Sequence, residues 1–299
     1  MGDCVASPSS EAQPVPPGTV SVSANTAWAI VILAVLVGIL YGGILASLVA
    51  DWMNDPNYSH GFLVPLFSGF LIWRKKADLS RLPLRPTWWG LPAIAASLGV
   101  LVVGKLGAEF FLMRSSLVFL LTGFVLYFCG WRWLRALLFP IAFLFLMIPI
   151  PAILYAQITL PLQIHASRMA SWLLSLFGVP VLREGNIIQL PAITLEVAEA
   201  CSGIRSLISL IALAVIYGYF LEPSLWRRIL LVAAAVPIAI AANALRIMGT
   251  GLLIQFWSPD AGTGFFHVFS GWLIFILAML MLFAFHAALR ATSLRRFHA

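Results

Sequence analysis

The chain has 299 residues, of which 62% are hydrophobic and only 10% are charged. A soluble core of this size cannot enclose so much apolar surface, so the composition excludes a soluble globular protein and predicts an all-α integral membrane protein. The net charge of +7 arises mainly in the loops between apolar segments, which indicates contact with anionic membrane lipids and argues against nucleic-acid binding.

The chain begins with a leader, residues 1–27, that is rich in serine, proline and small residues. Such a composition cannot build a packed element, so we expect a disordered leader on the cytoplasmic side. The apolar run after it is too long for the core of a cleaved signal peptide, which predicts a retained transmembrane helix.

Residues 28–290 are predicted to form one polytopic membrane catalytic domain, followed by a basic cytoplasmic tail at 291–299. About eight apolar segments serve as candidate transmembrane helices, and most of them reach the roughly 17 to 25 residues that a span requires. The second is short and contains Pro65, which predicts a broken or re-entrant segment. The eight segments are 28–50, 60–73, 88–104, 115–130, 136–155, 204–221, 229–248 and 267–289.

Lysine and arginine residues follow the second, fourth, sixth and eighth segments, which places both termini in the cytoplasm. The same topology puts residues 157–200 on the outer face. The three cysteines fall in the cytoplasmic leader (Cys4), inside a helix (Cys129) and on the outer face (Cys201). No disulfide pair is plausible, so Cys201 is expected to be a free thiol in an oxidising compartment.

The outer-face segment shows two successive patterns. Between residues 161 and 178, apolar side chains recur every three or four positions, which predicts an amphipathic helix on the outer membrane surface. After Pro180, Ile193, Leu195 and Val197 alternate with polar residues. This period of two predicts a small β-hairpin leading directly to Cys201.

Cys201 and Arg205 lie four residues apart where the polar segment enters an apolar helix. A guanidinium and the unpaired amides of a helix start both favour the nucleophilic thiolate. Asn243 and Arg246 share a helix face near the outer end of the seventh segment, and His267 begins the eighth. Three separate segments thus bring a thiol, a guanidinium and an imidazole to one depth, as cysteine acyl transfer requires.

The three candidate catalytic residues also have ordinary explanations. Cys201 could be a packed apolar side chain, Arg246 could extend to the membrane interface, and His267 could lie at headgroup level. Their agreement in depth and side favours the catalytic interpretation. Arg205 either tunes Cys201, binds a substrate carboxylate or pairs with Glu199 or Glu196, and His60 either lines the same site or is interfacial. No spacing of metal ligands is present, so neither a metal nor a cofactor is expected.

Four sequence blocks resemble the signature blocks of exosortases. They are Glu199-Ala200-Cys201-Ser202-Gly203-Ile204-Arg205-Ser206, Asn243-Ala244-Leu245-Arg246-Ile247, His267 with Gly271, and Tyr58-Ser59-His60-Gly61-Phe62-Leu63-Val64-Pro65. The resemblance implies a multipass cysteine transpeptidase of the bacterial inner membrane, with its active site at the periplasmic face. It also implies that Cys201 is the nucleophile, Arg246 the oxyanion or substrate-positioning residue, and His267 the general acid and base.

By the same resemblance, the substrates are exported proteins with a C-terminal sorting signal: a Pro-Glu-Pro motif, a transmembrane helix and a basic tail. Cleavage would proceed through a thioester acyl-enzyme, with Arg205, Asn243, His60 and Glu199 expected to bind substrate. Exopolysaccharide machinery is a further partner that the resemblance implies. The alternatives are a polysaccharide or lipid transporter or flippase, and a non-catalytic scaffold for exopolysaccharide assembly.

Overall fold

The computed structural model describes residues 24–191, 193–197, 203–257 and 264–296. Side chains at the edges of these ranges, including those of 264–268, lie outside the description. The chain divides into two compact units, residues 1–43 and 44–299. Every contact discussed below lies within the second unit.

The fold is mostly helical and includes one small sheet. Two 3-10 helices, Pro56–Phe62 and Leu144–Met147, interrupt the series of α-helices. In chain order the α-helices are α1 (Ala24–Asn54), α2 (Leu63–Arg74), α3 (Lys76–Ser80), α4 (Gly90–Leu106), α5 (Phe110–Phe128), α6 (Trp131–Phe143), α7 (Ala152–Leu176), α8 (Gly203–Leu221), α9 (Leu225–Phe256) and α10 (Gly264–Arg296).

Four helical segments in the described part of the chain are long and apolar enough to cross a membrane, or five if one bent pair is a single span. They are Val31–Asn54, Phe110–Phe128, Leu225–Phe256 and Phe269–Ala291. Helix α4 and the segment Arg205–Leu221 are apolar but shorter. The multipass membrane class is supported, whereas the predicted count of eight spans is not confirmed.

The predicted span 136–155 is wrong as a single helix. Helix α6 ends at Phe143, a 3-10 turn follows, and α7 starts at Ala152, with an angle of 84° across the break. Pro149 and Pro151 explain the interruption, because proline lacks an amide hydrogen and disfavours helical geometry in the residue before it. Helix α7 therefore begins well before the surface helix predicted at 161–178 and continues through Pro161.

The predicted hairpin is part of a three-stranded antiparallel sheet. Strands β1 (Leu182–Glu184), β2 (Ile187–Gln189) and β3 (Thr194–Glu196) pair in sequence order. Gly185 has a φ of 63°, a left-handed value that glycine adopts easily, in the turn between β1 and β2. Strand β3 lies within the alternating segment, and its predicted continuation to Cys201 lies outside the described residues.

Helix α9 is central to the second half of the fold, because it packs against α7, α8 and α10. Two apolar clusters meet on it. One joins α9 to α7 and the sheet through side chains such as Ala170, Leu174 and Ile188. The other joins α9 to α8 and α10 through side chains such as Leu210 and Leu282.

Close approach of α4 and α5 gives a stability prediction. A Cβ atom at Gly90 would overlap the backbone of Tyr127, whereas a Cβ at Gly99 in the same helix would meet nothing within 4 Å. We expect Gly90→Ala to lower stability by about 1 to 3 kcal/mol, the usual range for overpacking. Gly99→Ala should leave it equal or slightly higher, because alanine favours helix.

Thermal unfolding of both variants in detergent checks this expectation. Equal midpoints for Gly90→Ala and Gly99→Ala would contradict the close backbone packing of α4 on α5.

Candidate active site

Arg246 is buried in the second half of α9, with only 6% of its surface exposed. Its Nε donates a hydrogen bond to Ser270 Oγ of α10 at 3.3 Å. The guanidinium also lies over Gly271, where a Cβ would come within 3.5 Å of Nη2. Arg246 therefore contacts α10 at Ser270 and Gly271. These residues are three and four positions after 267, so they share a helix face with that position.

A cavity of about 10 Å³ adjoins Arg246 and is lined by α8, α9 and α10. Ser206 of α8, Asn243 of α9 and Ile274 of α10 lie on its wall. Its volume is close to the minimum that a single water molecule requires. Because Ser206 closely follows Cys201 in sequence, this cavity connects Arg246 with the helix that starts just after the candidate nucleophile.

Asn243 is 9% exposed and lines a second small cavity, on the side of α9 that faces α7. Thr159 and Gln163 of α7 line the same cavity, whose volume is about 30 Å³. Gln163 Oε1 also accepts a hydrogen bond from Asn186 Nδ2 at 3.3 Å, which ties α7 to the sheet. Asn243 thus lines two small cavities, and Arg246 also lines the smaller of them.

Several predicted site residues lie outside the described structure. Cys201 and Glu199 fall in the range 198–202, and for His267 only the backbone, within α10, is described. The structure brings Arg246 to the residues that flank two of these positions, namely Ser206 and Ser270. The catalytic set of Cys201, Arg246 and His267 stays a prediction.

Arg205 is exposed near the start of α8. Within the described part of the chain it has no carboxylate at ion-pair distance, so the expected pairing with Glu196 is not observed. It does interact electrostatically with Tyr155 of α7, which is also close to Asp55. Arg205 therefore presents a positive charge at the protein surface near Tyr155, and Tyr155 in turn interacts with Tyr58.

A wide apolar groove of about 650 Å³ follows the face of α8 that carries Arg205. Ser209, Ala212 and Ile216 line it, and their spacing from Arg205 places all four positions on one side of the helix. Ser59 and His60 of the 3-10 helix Pro56–Phe62 line it from the opposite side, together with Phe67 of α2. His60 is thus placed beside α8, in a groove lined by other residues than the Arg246 cavity.

Sequence reasoning missed Ser206, Ser270 and Tyr155. The i+3 spacing between His267 and Ser270 is a signal that could have indicated Ser270. No comparable signal identifies Tyr155, because its proximity to Arg205 depends on the bend between α6 and α7. Among the described residues, no group of three or more histidine, cysteine, aspartate or glutamate side chains could hold a metal ion.

A family model described as transmembrane exosortase matches residues 52–284. The chain belongs to the transmembrane exosortase family. The match includes every predicted site residue of this exosortase, from His60 to His267, and leaves the leader outside. No curated protein and no solved structure matches the chain at a significant level.

His60 of the exosortase is half-buried. Its Nε2 lies 3.1 Å from the carbonyl oxygen of Leu146, which a neutral imidazole can satisfy as a donor. Its Nδ1 is buried and has no hydrogen-bond partner among the described residues. Burial lowers the pKa of His60 below its usual value of 6.5, and this effect outweighs opposing interactions with nearby backbone groups.

The lowered pKa of His60 predicts a pH-dependent stability. The folded state binds fewer protons at this site than the unfolded state, so stability is fully present above about pH 6.5 and falls as the pH drops through the folded-state pKa. We expect His60→Gln, which keeps a donor for Leu146, to reduce the loss of thermal stability between about pH 7 and pH 5.

Unfolding midpoints in detergent across this pH range provide the measurement. His165→Gln, at an exposed position of α7, is the matched control and should retain the wild-type pH profile. An unchanged profile in His60→Gln would contradict the assignment.

Proposed function

We propose that the protein is a membrane cysteine endopeptidase or transpeptidase that cleaves the C-terminal sorting signal of exported proteins. One observation carries the proposal beyond family membership. The buried guanidinium of Arg246 contacts α10 just after His267 and adjoins a cavity lined by Ser206, just after Cys201. A fixed positive charge next to α8, which follows Cys201, and α10, which contains His267, is suited to an oxyanion site for acyl transfer.

The proposed reaction has two steps. In the first, the Cys201 thiolate attacks the carbonyl carbon of the scissile amide, and the carbonyl oxygen becomes an oxyanion. The oxyanion collapses, the carbon–nitrogen bond breaks, and the leaving amine takes a proton from His267. In the second, an amine or water attacks the thioester, gives its proton to His267 and releases the Cys201 thiolate.

Arg246 is suited to stabilise the oxyanion. A guanidinium keeps its charge at any relevant pH and presents its donors in a rigid plane. The hydrogen bond to Ser270 and the packing over Gly271 restrain that plane before substrate arrives. Restraint of this kind is what makes an oxyanion site effective, because no reorganisation is needed during the reaction.

The exposed charge of Arg205 supports a role in substrate recognition. The proposed sorting signal carries a glutamate beside the cleavage point, and Arg205 presents a guanidinium at the outer start of the nucleophile helix. A charge-assisted hydrogen bond between the two would fix the substrate next to Cys201. We further propose the inner membrane as the location, with cytoplasmic termini and the reaction at the periplasmic face.

The catalytic assignment predicts the outcome of four substitutions. Cys201→Ala and His267→Ala should abolish processing of a co-expressed substrate, and Arg246→Ala should reduce it on the order of 100-fold or more through loss of an oxyanion donor. Cys129→Ala is the control. This half-buried thiol lies at the end of α5, so its removal should leave processing of the substrate unchanged.

The measurement is the rate of C-terminal cleavage, normalised to the amount of each variant in the membrane. Wild-type processing by Cys201→Ala would remove the proposal. Loss of processing in Cys129→Ala as well would show that the assay reports folding and not catalysis.

The recognition assignment predicts a charge-reversal rescue. Arg205→Glu should reduce processing at least about tenfold, as expected for loss of a charge-assisted contact and addition of repulsion. Changing the substrate glutamate to lysine should restore part of the activity only in the Arg205→Glu enzyme. Arg168→Glu, at another exposed arginine of the outer segment, is the matched control; equal effects at both sites would contradict a specific contact.

A further inference from the structure

A cluster of polar side chains around two buried residues, Glu222 and His286, joins α8, α9 and α10 at the ends opposite Arg246. Glu222 lies at its centre, in the short link between α8 and α9, and its side chain is only 1% exposed. We call the group the inner cluster; its members are Tyr217, Glu222, Arg227, His286 and Arg290. It lies apart from the candidate active site and involves no residue assigned to the reaction.

The carboxylate of Glu222 contacts both neighbouring helices. His286 Nε2 lies 2.6 Å from Oε1, and Arg290 Nε donates to the same oxygen at 3.0 Å, both from α10. Arg227 Nη1 of α9 lies 3.5 Å from Oε2. One carboxylate therefore connects the link after α8 with α9 and with two turns of α10.

Further hydrogen bonds extend the inner cluster into α8. His286 Nδ1 lies 2.8 Å from the hydroxyl of Tyr217, so both ring nitrogens of this histidine have partners. Arg290 Nη2 donates to the carbonyl oxygen of Leu221 at 2.8 Å, and Arg228 Nε donates to that of Glu222 at 2.6 Å. Cations at the last carbonyls of a helix also complement its dipole.

Glu222 is charged within this cluster. Burial raises the pKa of its carboxyl group, but hydrogen bonds and charges from His286 and Arg290 lower it by more, so the net pKa lies below the usual value. A buried carboxylate with several directional donors tolerates little displacement, because any shift leaves a buried charge without a partner.

Apolar packing alone defines the position of α10 poorly. Only 17% of its most apolar stretch is buried inside the protein, compared with 44% for α9. Side chains such as Phe269, Trp272 and Leu280 are exposed. Since lipid is as apolar as the helix surface, helices in a membrane gain little from hydrophobic burial against each other, and interhelical hydrogen bonds contribute to their association beside close packing.

The separation between the inner cluster and the candidate active site is the same along α9 as along α10. Arg246 follows Arg227 in α9, and His267 precedes His286 in α10, by about 19 residues each, or roughly 28 Å at 1.5 Å per residue. A slip of α10 by one residue at the inner cluster would move position 267 by about 1.5 Å relative to Arg246.

We propose that Glu222 is a positioning residue, which holds α10 in register with α8 and α9 and so sets the place of position 267 relative to Arg246 at the other end. The catalytic consequence rests on the proposed function. The structural consequence does not, and can be measured without any substrate.

The structural test uses the full chain with its native cysteines changed to serine and spin labels at Leu253→Cys and Trp272→Cys. These positions are exposed on α9 and α10. We expect one narrow distance distribution for this labelled protein, and a shift or broadening of at least about 1.5 Å when Glu222→Gln is added. Glu222→Asp keeps the charge and should give a smaller change.

Asp78→Asn, at an exposed carboxylate of α3, is the matched control and should leave the distance unchanged. If Glu222→Gln does not accumulate in the membrane, the spin-label distance in Glu222→Asp is compared with that in the labelled parent protein, and this comparison tests the proposal. A distance distribution that is the same in every variant overturns the proposal.

The catalytic test uses the chain with native cysteines. Because a displacement of about 1 Å in a catalytic group can reduce the rate by up to 100-fold, we expect Glu222→Gln to lower kcat at least tenfold. KM should stay within about threefold, since no substrate contact is removed. Partial recovery in Glu222→Asp is also expected.

A changed distance with unchanged kcat overturns the positioning role in catalysis. A wild-type protein that does not process the substrate refutes the proposed function. In that case the spin-label distances alone decide whether Glu222 holds α10 in register.

Discussion

Apolar helices in lipid gain little free energy by hydrophobic burial against each other, so directional polar contacts between α8, α9 and α10 are suited to fix their alignment beside close packing. Two buried charges meet this requirement. Arg246 joins the later part of α9 to the early part of α10 through Ser270 and Gly271. Glu222 joins all three helices at the other end. The rest of the second half, including α7 and the sheet, packs around α9 through apolar side chains.

The long apolar helices could be predicted from composition and periodicity. The predicted segment 229–248 lies within α9, and 267–289 lies within α10. The failure at 136–155 has a local cause, because hydropathy counts Ile148 and Ile150 as membrane residues and ignores the proline after each. The span count is unconfirmed because α2, α4 and α8 are short, and length alone does not show whether a helix crosses a membrane.

The candidate site could be predicted only in part. The spacing of Asn243 and Arg246 and their depth in the seventh apolar segment are readable along one helix. The partner of Arg246 on α10 is not, because it depends on the rotation of two helices about their axes. Glu222 was overlooked for a related reason: a single acidic residue between two apolar segments suggests an ordinary loop until His286 and Arg290 are brought to it.

The 84° angle between α6 and α7 has a consequence for the surrounding bilayer. If α6 runs along the membrane normal, α7 lies nearly parallel to the membrane plane, with Ile158, Trp172 and Leu176 among its exposed apolar side chains. A helix in this orientation takes up area in one leaflet only. That leaflet is expanded relative to the other, so membranes that bulge on the side of that leaflet accommodate the protein more easily than flat ones.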